Sequence, residues 1–133
     1  LNFIAVHRKN PREDLKVVLN EGQRRVQKGC SVVVFPQATR STIFDVRNFN
    51  TLGVKLARKA GVPVVPIALK TDFHGTGRWL KDIGPIYPER PIHFKFGSPI
   101  PIVGNGQAAH QSVVQFIVQN LASWGVEVRS HLD

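Results

Sequence analysis

The run from Cys30 to Phe35 is apolar and β-branched and is stopped at once by Pro36. A strand apolar on both faces is expected to be covered on both faces, as in parallel sheets packed between helices. Cys30, set among Val32, Val33 and Val34, reads as a buried thiol in the same strand. The residues on either side alternate in type. Leu1 to Val6 reads as a short strand. Asn10, Pro11 and Glu13 supply a cap, a proline at the first helical position and an acidic residue three after the cap. Leu15, Val18, Leu19, Gly22 and Val26 then recur at helical spacing up to Gly29.

Residues 36–48 have no period and read as a loop. Phe49, Leu52, Leu56 and Ala60 mark a second helix closed by Gly61. Val62 to Leu69 reads as a strand made irregular by Pro63 and Pro66. Residues 71–91 read as a long surface loop. Ile92, Phe94 and Phe96 alternate with His93 and Lys95, which predicts a half-exposed strand with His93 outward. Val113, Ile117, Leu121 and Trp124 mark a last amphipathic helix. The sum is one α/β domain over residues 1–133, with a mixed, largely parallel sheet flanked by helices. No apolar run is long enough to cross a bilayer, and the apolar start at Leu1, with no basic stretch before it, is not expected to be a signal peptide. One cysteine forms no internal disulfide and suits a reducing compartment.

Charge is uneven. Residues 1–59 hold 12 Lys and Arg against 4 Asp and Glu, which accounts for +8 of the net +9. Such a surface attracts phosphate esters, anionic lipid or nucleic acid, although on charge alone a solvated basic face that aids solubility is the favoured reading. One Tyr and two Trp, with no aromatic–basic interleaving, argue against nucleic acid. In open α/β sheets, ligands lie beyond the carboxyl ends of the strands. Pro36-Gln37-Ala38-Thr39-Arg40-Ser41 follows such an end. The Arg40 guanidinium offers a planar fork suited to phosphate, and Thr39 and Ser41 flank it with hydroxyls. Arg8 follows the first strand as Arg40 follows the second. If those strands are parallel neighbours, the two arginines converge on one phosphomonoester. On the residues alone, an Arg40 bonded to loop carbonyls and a solvated Arg8 stand equally beside that reading.

Phe35-Pro36-Gln37-Ala38-Thr39-Arg40-Ser41 resembles the FPEGTRS block of the PlsC-like lysophospholipid and glycerol-3-phosphate acyltransferases. Val62-Pro63-Val64-Val65-Pro66-Ile67 resembles the VPVVPV block of that family, and Phe3-Ile4-Ala5-Val6-His7-Arg8 the block that precedes FPEGTRS and ends in arginine. Phe49-Asn50-Thr51 resembles its FK-G segment. Phe96-Gly97-Ser98-Pro99-Ile100 fits its weaker C-terminal pattern.

The resemblance implies a glycerol-phosphate or lysophospholipid acceptor and an acyl-CoA or acyl-carrier-protein thioester as donor, with no further cofactor and no metal. It implies acceptor binding by Arg8, Gln37, Thr39, Arg40 and Ser41. Phe35, Pro36, Val62, Pro63 and Pro66 take structural roles. It also implies peripheral contact with a membrane, at the cytoplasmic face, through the first helix with Arg12, Lys16, Arg24, Arg25 and Lys28.

The departures are specific. The catalytic pair of the family is HX4D, in which the histidine is general base and the aspartate orients it. Five residues after His7, His74, His93 and His110 stand Arg12, Trp79, Ser98 and Gln115, and His131 lies too near the end. No aspartate is among them. The chain is therefore expected to be a domain truncated at its N-terminal side, unable to catalyse transfer alone, or else a non-catalytic phosphate- or anionic-lipid-binding module of the same fold. An uncovered edge or apolar face would favour self-association. Gln37 replaces Glu, Ala38 replaces Gly, and Asn50 stands where the family often has Lys, so that one candidate phosphate contact is lost. Of the histidines, His7 adjoins Arg8 in the candidate site, yet an exposed position after the strand is its simpler reading. No Cys/His spacing suggests zinc.

Overall fold

The computed structural model describes residues 3–5, 10–37, 41–71, 75 and 84–129. They form a mixed α/β arrangement of three helices, one parallel strand pair and one antiparallel pair. Helix α1 runs Pro11–Gln27. The Asn10 side chain accepts hydrogen bonds from the Arg12 and Glu13 amides at 3.2 and 3.4 Å, as its capping residues predict. Its C-terminus closes with the Gly29 amide on the Val26 carbonyl and the Cys30 amide on the Arg25 carbonyl. That double bond needs the φ of +80° that Gly29 adopts.

Helix α2, Leu52–Ala60, packs on α1. At their crossing Gly22 is buried, and a Cβ there would stand 2.8 Å from both Leu56 methyls, so a glycine is what lets the helices approach. Helix α2 begins at Leu52 rather than Phe49. Phe49 instead caps a single 3₁₀ turn, Val46–Asn48, and its ring turns into the core beside Phe44.

The segment read as a featureless loop contains strand β1, Ile43–Asp45. It pairs in parallel with β4, Glu127–Arg129, in the register Ile43↔Glu127, Phe44↔Val128 and Asp45↔Arg129. Three residues are too few to show a period, which is why neither strand is visible in the sequence.

Strand β2, Ile67–Lys70, pairs antiparallel with β3, His93–Phe96. The pairing continues irregularly. Val64 and Ile100 exchange both backbone bonds, at 3.0 and 2.8 Å, and the Gly97 amide donates to the Pro66 carbonyl at 2.8 Å. Between the two registered pairs, two residues on the Val64–Ile67 side oppose three on the Phe96–Ile100 side, which is a bulge. The prolines do what the sequence predicts: they shorten the regular strand to four residues.

Helix α3, Gln107–Ser123, lies across both sheets. Phe44, Val113, Ile117 and Leu121 form the core, with Val46, Val64, Ile100 and Val128 packed around them. Ala68, fully buried, brings β2 to the same helix.

Three expectations are overturned. Residues 30–36 pair with no strand among the described residues, so the predicted buried strand is an extended segment with Val33 65% and Phe35 78% exposed. A high β-propensity reports fit to a sheet surface; it does not form a strand where no partner edge is present. Cys30 is exposed for the same reason. Residues 3–5 likewise form no strand, and the Phe3 carbonyl accepts from Arg25 Nη2 at 3.1 Å.

The burial of β3 also departs from the expected alternation, although Lys95 is exposed as expected. Phe94 and Phe96 are exposed and touch each other edge to face, while half-buried His93 stacks on Trp124 at 5.1 Å. The choice here is made by Trp124, which offers His93 a flat partner against α3.

Phe44 is 4% exposed and joins β1 to α3. Phe44→Ala is expected to destabilise the fold by about 3–5 kcal/mol through lost transfer energy and the cavity left behind. The midpoint of urea unfolding at pH 7 measures this.

Candidate functional site

The two described ends of the candidate loop are Pro36-Gln37 and Ser41. They are held by different means. On the entering side, the Pro36 carbonyl accepts two hydrogen bonds from Asn50: from side-chain Nδ2 at 2.6 Å and from the backbone amide at 3.3 Å. The Asn50 Oδ1 accepts from the Leu52 amide at 2.9 Å. Thr51, the residue just before α2, makes no side-chain cap bond. Asn50 therefore supplies the side-chain cap that Thr51 does not. Phe49 keeps Asn50 in place, since its ring lies 5.8 Å from Phe44 and 5.8 Å from His110.

On the leaving side, Ser41 Oγ accepts from the Ile43 amide at 3.1 Å, and β1 begins at that residue. A hydroxyl that accepts from the backbone keeps its own proton available for donation. Pro36 and Gln37 are half-buried and Ser41 is exposed. The loop thus joins the first turn of α2 to the first residue of β1, with its hydroxyl end open to solvent.

Of the residues that the sequence points to, Gln37 and Ser41 are described here, at the two ends of the loop. Arg8, Thr39 and Arg40 lie outside the described residues, as do His7, His74 and His131. The positions expected to be structural lie among the described residues. Phe35 and Pro36 precede the loop, and Val62, Pro63 and Pro66 lie on the segment that joins α2 to β2. The premise for convergence of Arg8 and Arg40 was two neighbouring parallel strands. The described parts of those segments, residues 3–5 and 30–36, form no strand pair.

The nearby charges are partly committed. Arg47 grips Asp45 with two guanidinium nitrogens, at 3.0 Å from Nε and 2.6 Å from Nη2, and its amide donates to the same carboxylate at 2.9 Å. These bonds, with Arg129 opposite in register, hold the Asp45 carboxyl down at about 2. In α1, Glu21 takes hydrogen bonds from both Arg24 and Arg25, which lowers its carboxyl to about 2. Arg24, Arg25 and Arg47 are thus engaged by carboxylates of their own. His110 is half-buried with an Nδ1 that meets no partner, and burial pushes its pKa down from the usual value.

Asn50 is the residue whose part was not foreseen. In the sequence it is a lost cation; in the fold it is a clamp. The signal available was an Asn two residues before a helix that opens without an Asp or Ser cap.

Comparison with known proteins agrees with the blocks. A model of the family described as Acyltransferase matches residues 1–70, more than half of the chain. The chain belongs to the acyltransferase family. It is 31% identical over 133 residues to a 1-acyl-sn-glycerol-3-phosphate acyltransferase of Pseudomonas aeruginosa, covering 100% of this chain and 48% of that protein. A chloroplastic 1-acyl-sn-glycerol-3-phosphate acyltransferase of Brassica napus is 36% identical over 78 residues, 59% of this chain and 21% of that protein. One of Cocos nucifera is 29% identical over 99 residues, 74% of this chain and 31% of that protein. The chain spans about half the length of the Pseudomonas protein and less of the two plant proteins. No solved structure is a significant match to the chain.

Asp45 ionises below its ordinary 3.8 in the fold, so its contribution to stability is complete above that pH and is lost as pH falls toward about 2. Asp45→Asn is expected to flatten the acid limb of stability between those values relative to the parent. Urea midpoints from pH 5 to pH 2 check the difference.

Proposed function

We propose that this chain is the acceptor-holding part of a glycerolipid acyltransferase, and that its loop at residues 36–41 grips the phosphate of a 1-acyl-glycerol 3-phosphate. The observation that carries the reading is the loop itself: the FPEGTRS-like block stands between a clamped carbonyl and a strand start, with an exposed hydroxyl at its far end. The names of the relatives supply the substrate class.

In this reading Arg40 supplies the planar fork to the phosphate oxygens, and Arg8 adds a second cation. Thr39 and Ser41 donate hydroxyl bonds, and Gln37 offers a neutral amide where a carboxylate would compete for the guanidinium. Ser41 suits the part because its lone pair is occupied by the Ile43 amide and its proton is free to face outward.

The reaction of the whole protein joins an acceptor hydroxyl to an acyl thioester. The hydroxyl proton passes to a base as its oxygen bonds to the thioester carbonyl carbon; the carbon–sulfur bond breaks, and the sulfur leaves as a thiolate that takes up the proton from the base. No histidine of this chain has an aspartate five residues on. We therefore assign this chain the holding of the acceptor and not the proton transfer. Holding the phosphate fixes one end of the acceptor and brings its hydroxyl within range of a base, which is where orientation lowers the barrier.

Contact with a membrane fits a lipid acceptor. No helix among the described residues is long and apolar enough to cross a membrane. Helix α1 instead exposes Leu15 and Val17 beside Arg12 and Lys16, a mixture suited to lying on an anionic surface.

Arg40→Ala tests the assignment. In the full-length protein, it is expected to weaken binding of 1-acyl-glycerol 3-phosphate by about 10- to 100-fold, the worth of charge-assisted hydrogen bonds to one phosphate. Arg40→Lys should fall between, having the charge without the fork. Unchanged affinity in both variants, read by titration calorimetry, would remove the phosphate from this loop.

A further inference from the structure

The loop proposed to bind phosphate needs a fixed starting point, and the described residues offer one side chain that provides it. Asn50 uses its side-chain amide and its own backbone N–H in one place. Its Nδ2 and its own amide both donate to the Pro36 carbonyl, at 2.6 and 3.3 Å, and its Oδ1 accepts from the Leu52 amide at 2.9 Å. One planar amide thereby ties the last residues before the loop to the first turn of α2. The helix start also lies beside the extended segment: a Cβ on Gly53 would meet Val34 Cβ at 4.0 Å, an ordinary van der Waals contact.

The clamp matters because, among the described residues, no sheet ladder holds residues 30–36. In a strand, neighbouring edges would fix the point at which the chain leaves the fold. Here the Pro36 carbonyl has Asn50 instead. Asn50 is itself exposed, so its bonds are not a means of burying a polar core. They set position.

We propose that Asn50 is a positioning residue for the acceptor: by holding the Pro36 carbonyl on the start of α2, it sets where the chain enters the phosphate-binding loop and so controls affinity for the acceptor without touching it. This rests on the assignment of the loop to the acceptor phosphate. It replaces the reading of Asn50 as a lost phosphate contact. A lysine here could reach an anion as a point charge, whereas an asparagine places the groups that do so.

The clamp has two halves that one substitution separates. Asn50→Ser keeps a hydroxyl that can cap the Leu52 amide but is too short to replace Nδ2 on the Pro36 carbonyl. Asn50→Ala removes both. Three quantities are measured on the full-length protein with each variant and with Arg40→Ala: the dissociation constant for 1-acyl-glycerol 3-phosphate, that for an acyl-CoA, and the thermal midpoint.

For Asn50→Ser, acceptor affinity is expected to fall about tenfold, the scale on which small misplacements of a binding group are felt. Affinity for acyl-CoA and the thermal midpoint stay at the parent values. Asn50→Ala shows the same loss for the acceptor with a lower midpoint. Parent-like acceptor affinity in Asn50→Ser overturns the positioning role, and so does a parallel loss for acceptor and acyl-CoA, which marks a general structural defect. If Arg40→Ala leaves acceptor affinity unchanged, the loop assignment itself fails and takes the positioning role with it. If Arg40→Ala weakens acceptor binding but Asn50→Ser does not, only the positioning role falls.

Discussion

The apolar stripe of α3 is the constraint on which the rest of the described structure depends. The two strand pairs share no ladder with each other, so no backbone hydrogen bond joins them. What joins them is Val113, Ile117 and Leu121, which bury against Phe44 of β1 while Val64 and Ile100 close over the same cluster. Each fully buried side chain of this kind is worth about 1.5–3 kcal/mol, and a typical net backbone hydrogen bond about 0.5–1.5 kcal/mol. Four such side chains therefore outweigh the short ladders, and three-residue strands persist because the helix holds them. The same packing fixes Phe49 beside Phe44, and through Phe49 it fixes Asn50 and the mouth of the loop.

Charge has less to do with architecture than the composition suggests. The basic excess of the first 59 residues includes Arg24 and Arg25 gathered on Glu21, and Arg47 closed on Asp45. These are local pairs within helix and turn distance. Pairs of this exposed kind add little stability. Their effect is to commit guanidinium groups to carboxylates at the surface, so the formal charge overstates what this surface presents to an anion. A phosphate site needs a guanidinium without such a partner nearby in the chain, and Arg40 has no acidic residue closer in sequence than Asp45, which Arg47 already holds.

The family was legible in the blocks because blocks are local. FPQATRS, VPVVPI and the segment ending in Arg8 are contiguous strings, and the family match covers the same stretch, residues 1–70. The helices were legible for a related reason. Asn10, Pro11 and Glu13 announce the start of α1 through bonds spanning three residues, and Val113, Ile117 and Leu121 repeat at the spacing of one helical face. Gln37 and Ser41 could be named as ends of the loop. The clamp could not, because Asn50 and Pro36 stand 14 residues apart and their bond exists only once the intervening chain has returned.

The amino-acid sequence by itself determined the helices, the glycine stops, the interrupted proline strand and the membership of the acyltransferase family, since each is written in neighbouring residues or a short period. Tertiary structure decided the rest. It placed His93 inward by offering it Trp124, and turned Phe94 and Phe96 outward. It gave the apolar run at Cys30–Phe35 no strand partner among the described residues, made a strand of Ile43–Asp45 by supplying Glu127–Arg129 as its edge, and converted Asn50 from a missing charge into a clamp. The physical reason is common to all of these: a strand, a face or a hydrogen bond between distant residues is a property of a pair, and a single stretch of chain carries only half of it.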